Sequence, residues 1–126
     1  MGKGMVQNLI MAGLTVFVIA NKNRGPIEKL VALGAREAKS FAEMAQNCSR
    51  IILCLPDSST AMSVCDALFP LLSSGSVIVD CTTNQPVTVK VLSSKAKKAK
   101  LRYVEAPLTG GQQQAENAEL GAIVGC

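Results

Sequence analysis

Short, almost purely aliphatic runs recur along this chain, and stretches with a helical spacing of apolar residues separate them. Three of the runs, TVFVIA (15–20), RIILCL (50–55) and SVIVDC (76–81), have the length of a strand and are rich in Val and Ile. Strands buried on both faces have this texture, because no position along them faces water. Alternation of such runs with helices of about ten residues predicts βαβ units and a mostly parallel, doubly wound sheet with helices on both faces.

Start and stop signals divide the remaining stretches into helices and further strands. Residues 3–12 place Met5, Leu9 and Ile10 on one helical face, and the apolar residues Ile27, Leu30 and Val31 form the stripe of a second helix. Pro26 and Gly34 mark the two ends of that second helix, and Ser40 with Glu43 forms a capping box for the next one. Asp57 and Ser58 can cap a further helix, and Pro86 begins the last one, which runs to about Lys100. Further strands are predicted at 35–38, 101–106 and 120–126.

Length and composition bound the class of protein. A chain of 126 residues with 48% apolar residues has room for one globular domain. With no histidine and no CxxC pair, a zinc site is not expected, and the five cysteines are interpreted as small buried hydrophobes in a reducing compartment. We therefore predict a single domain over residues 1–126 with no bound metal.

Charge and hydropathy give no sign of a nucleic-acid or membrane partner. The net charge is +4. The basic residues Lys95, Lys97, Lys98, Lys100 and Arg102 do not share one helical face and have no interleaved aromatics, so a solvated helix end is favoured over a nucleic-acid patch. The first residues lack the pattern of a secretory signal, and no run is long enough to span a bilayer. We expect a cytoplasmic protein, or a mitochondrial one if a transit peptide has been lost.

Functional residues are expected in the loops that follow the strands, because ligands of a doubly wound sheet bind beyond its carboxyl ends. These loops read NKNR after 15–20, LPDSS after 50–55, CTTNQP after 76–81 and APLTGG after 101–106. Together with MGKGMVQNL (1–9) they resemble, in order and spacing, the β-hydroxyacid dehydrogenase family, which contains 3-hydroxyisobutyrate dehydrogenase and 6-phosphogluconate dehydrogenase. The resemblance covers essentially the whole chain.

The resemblance implies a coenzyme site for NADP or NAD. Gly2 matches the third glycine of the dinucleotide fingerprint, and Leu55, Pro56 and Thr83 match positions near the nicotinamide half. Asn21 stands where NAD enzymes carry an acidic residue that binds the ribose 2′-hydroxyl, and Lys22 and Arg24 stand beside it. A neutral residue with two neighbouring cations favours NADP over NAD. Each loop also has a structural alternative. It is a solvated turn for Asn21, Lys22 and Arg24, a strand end followed by a helix start for Leu55 and Pro56, and a hydroxyl-stabilised turn for Thr83.

The resemblance also implies a clamp for a small carboxylate substrate at Thr109, Gly110 and Gly111, where two glycines allow close approach of backbone N–H donors. Thr109 departs from the family's usual serine by one methyl group. A plain glycine turn is the structural alternative.

Two parts of the family pattern are not matched by this sequence. The family opens with a strand that carries the first two fingerprint glycines, and it continues beyond the position of Cys126 into a helical domain with a lysine acid/base. We therefore expect a Rossmann-like domain that lacks the family's first strand, no catalytic residue among these 126, and no turnover by this chain. The alternatives are a non-catalytic dinucleotide-binding or protein-interaction module, and a remnant that forms homo-oligomers through an exposed sheet edge.

Overall fold

The structure is a computed structural model that describes residues 2–19 and 24–125. Its helices are α1 (Gly2–Met11), α2 (Gly25–Ala32), α3 (Phe41–Asn47), α4 (Ser58–Leu68), α5 (Pro86–Lys98) and α6 (Gln112–Glu116), with a 3₁₀ turn at Phe69–Leu71. Its strands are β1 (Phe17–Val18), β2 (Arg36–Glu37), β3 (Arg50–Leu53), β4 (Val77–Asp80), β5 (Arg102–Glu105), β6 (Leu108–Thr109) and β7 (Gly121–Ala122).

The chain forms two compact units. Unit 1 consists of Met1–Asn47 and Gly110–Leu120, and unit 2 consists of Cys48–Thr109 and Gly121–Cys126. In unit 2 the strands run parallel in the order β3-β4-β5, and the short pair β6-β7 is antiparallel. In unit 1 the parallel pair β1-β2 is the sheet. Parallel strands that alternate with helices confirm the α/β, Rossmann-like class.

The three-stranded sheet of unit 2 has one well-buried face. Ile51 and Leu53 of β3 are both 5% exposed, and Ile78 of β4 is fully buried. Ile52 points to the opposite face and is 46% exposed. Helix α5 packs against β5 and buries Leu92 completely, so the apolar core of this unit lies between α4, α5 and the Ile78 face of the sheet.

Unit 1 has a smaller core around β1 and α2. Val18, Ile27, Leu30 and Ala35 are buried, and the half-buried side chains packed against them are Val6, Ile10 and Val16. Val6 and Ile10 of α1 pack on this core. One sequence assignment is corrected here: Val31 is 42% exposed, because α2 turns Ile27 and Leu30 inward instead.

Two of the predicted helix starts have the expected hydrogen bonds. The amide of Glu43 donates to Ser40 Oγ at 3.1 Å, and the Glu43 carboxylate accepts from the amide of Lys39. Asp57 is the N-cap of α4, since its Oδ1 accepts from the amide of Thr60 at 2.8 Å. Ser58, the other proposed cap, makes no cap bond of this kind, and its hydroxyl contacts the loop after β4.

Strands at the ends of the predicted set are shorter than their apolar runs. Of the run 15–20, Phe17–Val18 pair in a strand. Of the run 120–126, Gly121–Ala122 pair in a strand, and Gly125 forms one further bridge with Glu105. Within the described residues, β1 has β2 as its one hydrogen-bonded neighbour, and β3 has β4 as its one hydrogen-bonded neighbour. The prediction of a single domain stays a prediction.

Candidate functional site

The loops that follow β3 and β4 lie side by side, because Leu53 and Asp80 are register partners at the ends of parallel strands. Pro56 from the first loop and Thr83 from the second line one cleft of about 680 Å³. Its other lining residues are Asp57, Ser58, Ser59, Met62, Ser63, Gln85 and Thr88. The structure thus brings together two of the residues that the sequence assigned to the nicotinamide half of a coenzyme.

Hydroxyl and amide groups, together with one carboxylate, form a hydrogen-bonding wall in this cleft. Hydroxyl and amide side chains predominate, and neither Lys nor Arg is among the lining residues. Among the described residues of the lining, Asp57 is the one with a charge, and the hydrogen bonds from the Thr60 amide and hydroxyl hold the pKa of its carboxyl below the ordinary value. Such a surface suits a neutral amide and sugar hydroxyls better than a phosphate.

Beneath the cleft, a fully buried carboxylate connects the loops. Asp80, the last residue of β4, is 0% exposed. Its Oδ1 accepts from the amide of Thr82 at 3.0 Å, and its Oδ2 accepts from Asn84 Nδ2 at 2.7 Å and from the Tyr103 hydroxyl at 2.6 Å. Three donors to one buried carboxylate replace the water that it gives up on folding.

Two further contacts carry this network to the loop after β3. Ser58 Oγ donates to Asn84 Oδ1 at 3.2 Å and accepts from the amide of Gln85 at 2.9 Å. The amide of Leu55 donates to Thr82 Oγ1 at 3.0 Å. Side chains of one loop therefore satisfy the backbone of the other.

Sequence reasoning singled out Thr83 and passed over its neighbour Thr82. The structure gives the two threonines different roles, because Thr82 is 2% exposed and bonds Leu55, whereas Thr83 is exposed on the cleft wall. Leu55 does not line the cleft and takes part through its amide. An aspartate at the end of an otherwise apolar strand, followed by Thr82 and Asn84, was the signal that could have indicated a buried polar network.

Tyr103 lies beside Asp80 on the Ile78 face, since Ile78 and Tyr103 are register partners. Burial raises the pKa of its phenol well above the ordinary value, and the hydrogen bond to Asp80 raises it further. The phenol therefore stays protonated at neutral pH and serves as a hydrogen-bond donor.

The buried thiols of unit 2 are unsuited to nucleophilic chemistry. Burial, followed by the charge of Asp80, raises the pKa of Cys65 to about 12, and burial, followed by the charge of Cys54, raises that of Cys81 to about 11. The thiolate is the reactive form, so both residues behave as small apolar side chains at neutral pH.

Of the predicted coenzyme residues in unit 1, the structure describes Gly2 and Arg24. Asn21 and Lys22 lie outside the described residues. Gly2 is the half-buried first residue of α1. Arg24, immediately before α2, forms an exposed ion pair in which its Nη2 lies 2.8 Å from Glu37 Oε1. Arg24 is thus paired with a carboxylate in this structure.

The close backbone approach in unit 1 occurs at Gly4, which sequence reasoning did not single out. A Cβ at Gly4 would lie 2.8 Å from the carbonyl carbon of Ala115 and from the amide nitrogen of Glu116. Next to it, Asn8 Nδ2 donates to the carbonyl of Ala115 at 2.6 Å and to that of Gly4 at 2.9 Å. Helices α1 and α6 therefore pack in direct backbone contact.

The proposed carboxylate clamp consists of residues that have local partners. Gly110 has φ +114°, a conformation that favours glycine, and the amide of Gly111 donates to Gln114 Oε1 at 2.9 Å. Thr109 is exposed at the end of β6 and pairs with Gly121. The Gly111 amide is therefore satisfied by a flexible side chain, which a ligand would have to displace.

The described part of the chain also bears on metals and membranes. Across residues 2–19 and 24–125, no three His, Cys, Asp or Glu side chains cluster as a metal site would require. In those same ranges, every helix is too short or too polar to cross a bilayer.

Comparison with known proteins identifies relatives over the full chain. The family profile described as the NAD binding domain of 6-phosphogluconate dehydrogenase matches residues 1–126. The chain is 32% identical to glyoxylate/succinic semialdehyde reductase 2, chloroplastic, of Arabidopsis thaliana, over 95% of this chain and 34% of that protein. It is also 32% identical to the mitochondrial 3-hydroxyisobutyrate dehydrogenase of Drosophila melanogaster, over 99% of this chain and 39% of that protein.

A solved structure shares the fold. Psf3 in complex with NADP+ and 2-OPP superposes with a TM-score of 0.88 at 25% identity, over 98% of this chain and 45% of that one. The chain thus spans less than half the length of each of these relatives.

Proposed function

The chain belongs to the family of NAD-binding domains found in 6-phosphogluconate dehydrogenase, and we propose that it is the dinucleotide-binding part of an oxidoreductase. The complete enzyme would transfer a hydride between NADP(H) and a small 3-hydroxy acid or the corresponding semialdehyde. The relatives named as a semialdehyde reductase and a 3-hydroxyisobutyrate dehydrogenase support this reaction class. One observation carries the proposal: Pro56 and Thr83, assigned to a nicotinamide site from the sequence, line one polar cleft.

The residues of the cleft fit the nicotinamide half of a coenzyme. Thr83, Ser58 and Gln85 offer hydroxyl and amide groups that match a carboxamide and ribose hydroxyls, while Pro56 and Met62 offer apolar contact to a ring. When bound, the coenzyme supplies the hydride acceptor or donor of the reaction. The protein's part here is to orient the ring and limit the access of water to it.

We propose that the coenzyme is NADP rather than NAD, although NAD is the alternative. Asn21 lacks the charge that would repel a 2′-phosphate, and Lys22 and Arg24 are its neighbours in sequence. The ion pair of Arg24 with Glu37 is exposed, and exposed pairs contribute about 0–1 kcal/mol, so a phosphate dianion can compete for this guanidinium.

The substrate is proposed to be a small carboxylate held at Thr109, Gly110 and Gly111. Its carboxylate would take the Gly111 amide in place of Gln114. No lysine lines the cleft among the residues that the structure describes. We propose that the acid/base of the reaction is not among residues 1–126, and that this chain therefore shows no dehydrogenase turnover.

We also propose a single functional domain, with a homo-oligomer as its assembly and neither nucleic acid nor membrane as a partner. The cytoplasm is the proposed compartment. Mitochondria are the alternative, which the name of the Drosophila relative supports.

A non-catalytic binding module derived from this family is the second candidate. It is favoured by the internal partners of the ligand-binding groups, namely Glu37 on Arg24 and Gln114 on the Gly111 amide. Such a module would bind a dinucleotide or a protein partner and would show no turnover in any longer form of the protein.

Fluorescence titration of NADPH and NADH tests the proposal. We expect saturable binding with a preference for NADPH, which Arg24→Gln abolishes and Glu37→Gln increases about threefold, since a competing surface charge contributes below 1 kcal/mol. Arg36→Gln is the matched control, because Arg36 is exposed and stacks over Phe17 without pairing to Glu37. Absence of binding by either nucleotide would contradict the proposal, and equal loss in the Arg36 variant would contradict the role of Arg24.

A further inference from the structure

We propose that Asp80 is a positioning residue, whose buried carboxylate fixes the loops after β3 and β4 in the arrangement that forms the cleft. The part of this inference that concerns coenzyme affinity rests on the proposed function. The part that concerns the loops stands on the hydrogen bonds alone. Asp80 is not expected to touch the coenzyme, because it is fully buried and is not among the residues that line the cleft.

The first step of the argument is the direction of the hydrogen bonds. An ionised carboxylate can only accept, and its partners Thr82, Asn84 and Tyr103 all donate to it. The two shortest contacts, 2.6 Å from Tyr103 and 2.7 Å from Asn84, meet at the same oxygen, Oδ2. Within the described residues no buried side-chain nitrogen or oxygen lacks a partner. A neutral amide at position 80 would turn a donor toward groups that also donate.

The second step is the route from Asp80 to the cleft wall. Asn84 donates to Asp80 with its nitrogen and accepts from Ser58 with its oxygen, and this fixes the orientation of its amide. Ser58 in turn accepts from the amide of Gln85. Ser58 and Gln85 both line the cleft. Asp80 therefore acts on the wall through Asn84.

A third step separates positioning from plain stability. Thr82 connects Asp80 to the Leu55 amide, so that each side of the cleft has one connection to the carboxylate. Tyr103 of β5 donates a hydrogen bond to the same carboxylate and connects it to the neighbouring strand. Removal of the carboxylate should loosen the two loops while the β3-β4-β5 ladder keeps its own backbone hydrogen bonds.

Amide hydrogen exchange and NADPH titration on the same samples test this inference. The variants are Asp80→Asn, which keeps the shape of the side chain, and Asn84→Ala, which cuts the route to Ser58 and leaves the buried carboxylate in place. Asp66→Asn is the matched control, because Asp66 is an exposed aspartate on α4 that pairs with Lys95. The amide of Val79 in the middle of β4 serves as the internal reference.

In Asp80→Asn we expect the amides of Leu55, Thr82 and Gln85 to exchange at least about tenfold faster relative to Val79. The Thr82 amide loses its bond to the carboxylate, and the acceptors of the other two amides lose the contacts that hold them in place. NADPH affinity should fall by about tenfold as well. In Asn84→Ala we expect faster exchange at Gln85 with Leu55 unchanged. Asp66→Asn should match the parent protein in both measurements.

The possible failures are distinct. Retained relative protection of the three loop amides in Asp80→Asn overturns the inference and leaves the proposed function standing. Loosened loops with unchanged NADPH affinity overturn the role of Asp80 toward the coenzyme. If the parent protein binds no NADPH, the proposed function fails, and the exchange data still decide whether Asp80 holds the loops. Should Asp80→Asn not fold, unchanged Gln85 exchange in Asn84→Ala overturns the inference.

Discussion

Unit 1 and unit 2 organise their loops in different ways. In unit 2, the loops after two parallel strands are held by side-chain hydrogen bonds that converge on the buried carboxylate of Asp80. In unit 1, Gly4 lets the backbone of α1 approach that of α6, and Asn8 donates to the carbonyl of Ala115. The first arrangement depends on a buried charge and the second on the absence of a side chain.

This difference bears on how ready each unit is for a ligand. The cleft of unit 2 has its wall residues Ser58 and Gln85 already bonded to each other, so binding there costs little ordering. In unit 1, Arg24 is paired with Glu37 and the amide of Gly111 with Gln114, so a ligand of these groups would have to open both pairs.

The largest expected effect compares the two cores. Leu92 in unit 2 is fully buried and Leu30 in unit 1 is 3% exposed. Leu92→Ala should lower the free energy of unfolding by about 4 kcal/mol and Leu30→Ala by about 3 kcal/mol, because the smaller core of unit 1 can collapse more readily around the lost methyl groups. Urea denaturation followed by circular dichroism measures both. A larger loss for Leu30→Ala would reverse the ranking of the two cores.

A second comparison concerns the two kinds of glycine. Gly4→Ala should cost about 2 kcal/mol, because its Cβ meets backbone atoms at 2.8 Å that no rotamer change can relieve. Gly75 in unit 2 has φ +88° and open space around it, so Gly75→Ala should cost about 1 kcal/mol from backbone strain alone. Thermal unfolding of both variants gives the comparison. Equal costs would mean that α1 and α6 are not in tight contact.

Two residues with positive φ provide a matched pair of stabilising changes. Ala118 follows α6 with φ +59°, and Lys100 follows α5 with φ +60°. Ala118→Gly and Lys100→Gly should each raise the free energy of unfolding by about 0.5–1 kcal/mol, since glycine adopts this conformation without a Cβ penalty. Differential scanning calorimetry is sensitive enough for this change. A lower melting temperature in either variant would show that its left-handed turn is not formed.

The smallest effect is confined to high pH and belongs to unit 2. The unfolded chain releases the Tyr103 proton near pH 10, whereas burial and the bond to Asp80 keep the folded phenol protonated to higher pH. The unfolded state then binds fewer protons, so stability should fall as pH rises above about 10. Absorbance at 295 nm follows the ionisation of this tyrosine, the only one in the chain, and urea denaturation followed by circular dichroism measures stability at each pH. The Tyr103→Phe variant should lack this part of the decline; an equal decline would contradict the raised pKa.

The sequence predicted the elements whose physics is local. The aliphatic runs at 50–55 and 76–81 became β3 and β4, and Asp57 caps α4 as its position before a helical stretch indicated. Pattern reasoning also placed Pro56 and Thr83 in neighbouring loops, because parallel strands present their carboxyl ends at one edge.

The sequence did not predict the features that depend on contacts between residues far apart in the chain. The partners of Asp80 come from positions 82, 84 and 103, and no periodicity relates the last of these to the first two. For the same reason Thr82 could not be distinguished from Thr83, since burial of one and exposure of the other depend on the loop opposite. The contact of Gly4 with α6 joins segments over a hundred residues apart in sequence, as the 107-residue separation of Asn8 and Ala115 shows.

The most direct test of the account is a map of amide chemical shifts in the nitrogen-15-labelled chain during titration with NADPH. The account predicts saturable shifts at Leu55, Ser58, Thr83 and Gln85, the residues in and behind the cleft of unit 2. Saturable shifts confined to other parts of the chain, such as the basic end of α5 at Lys97 and Lys98, or no shifts at all, would contradict it.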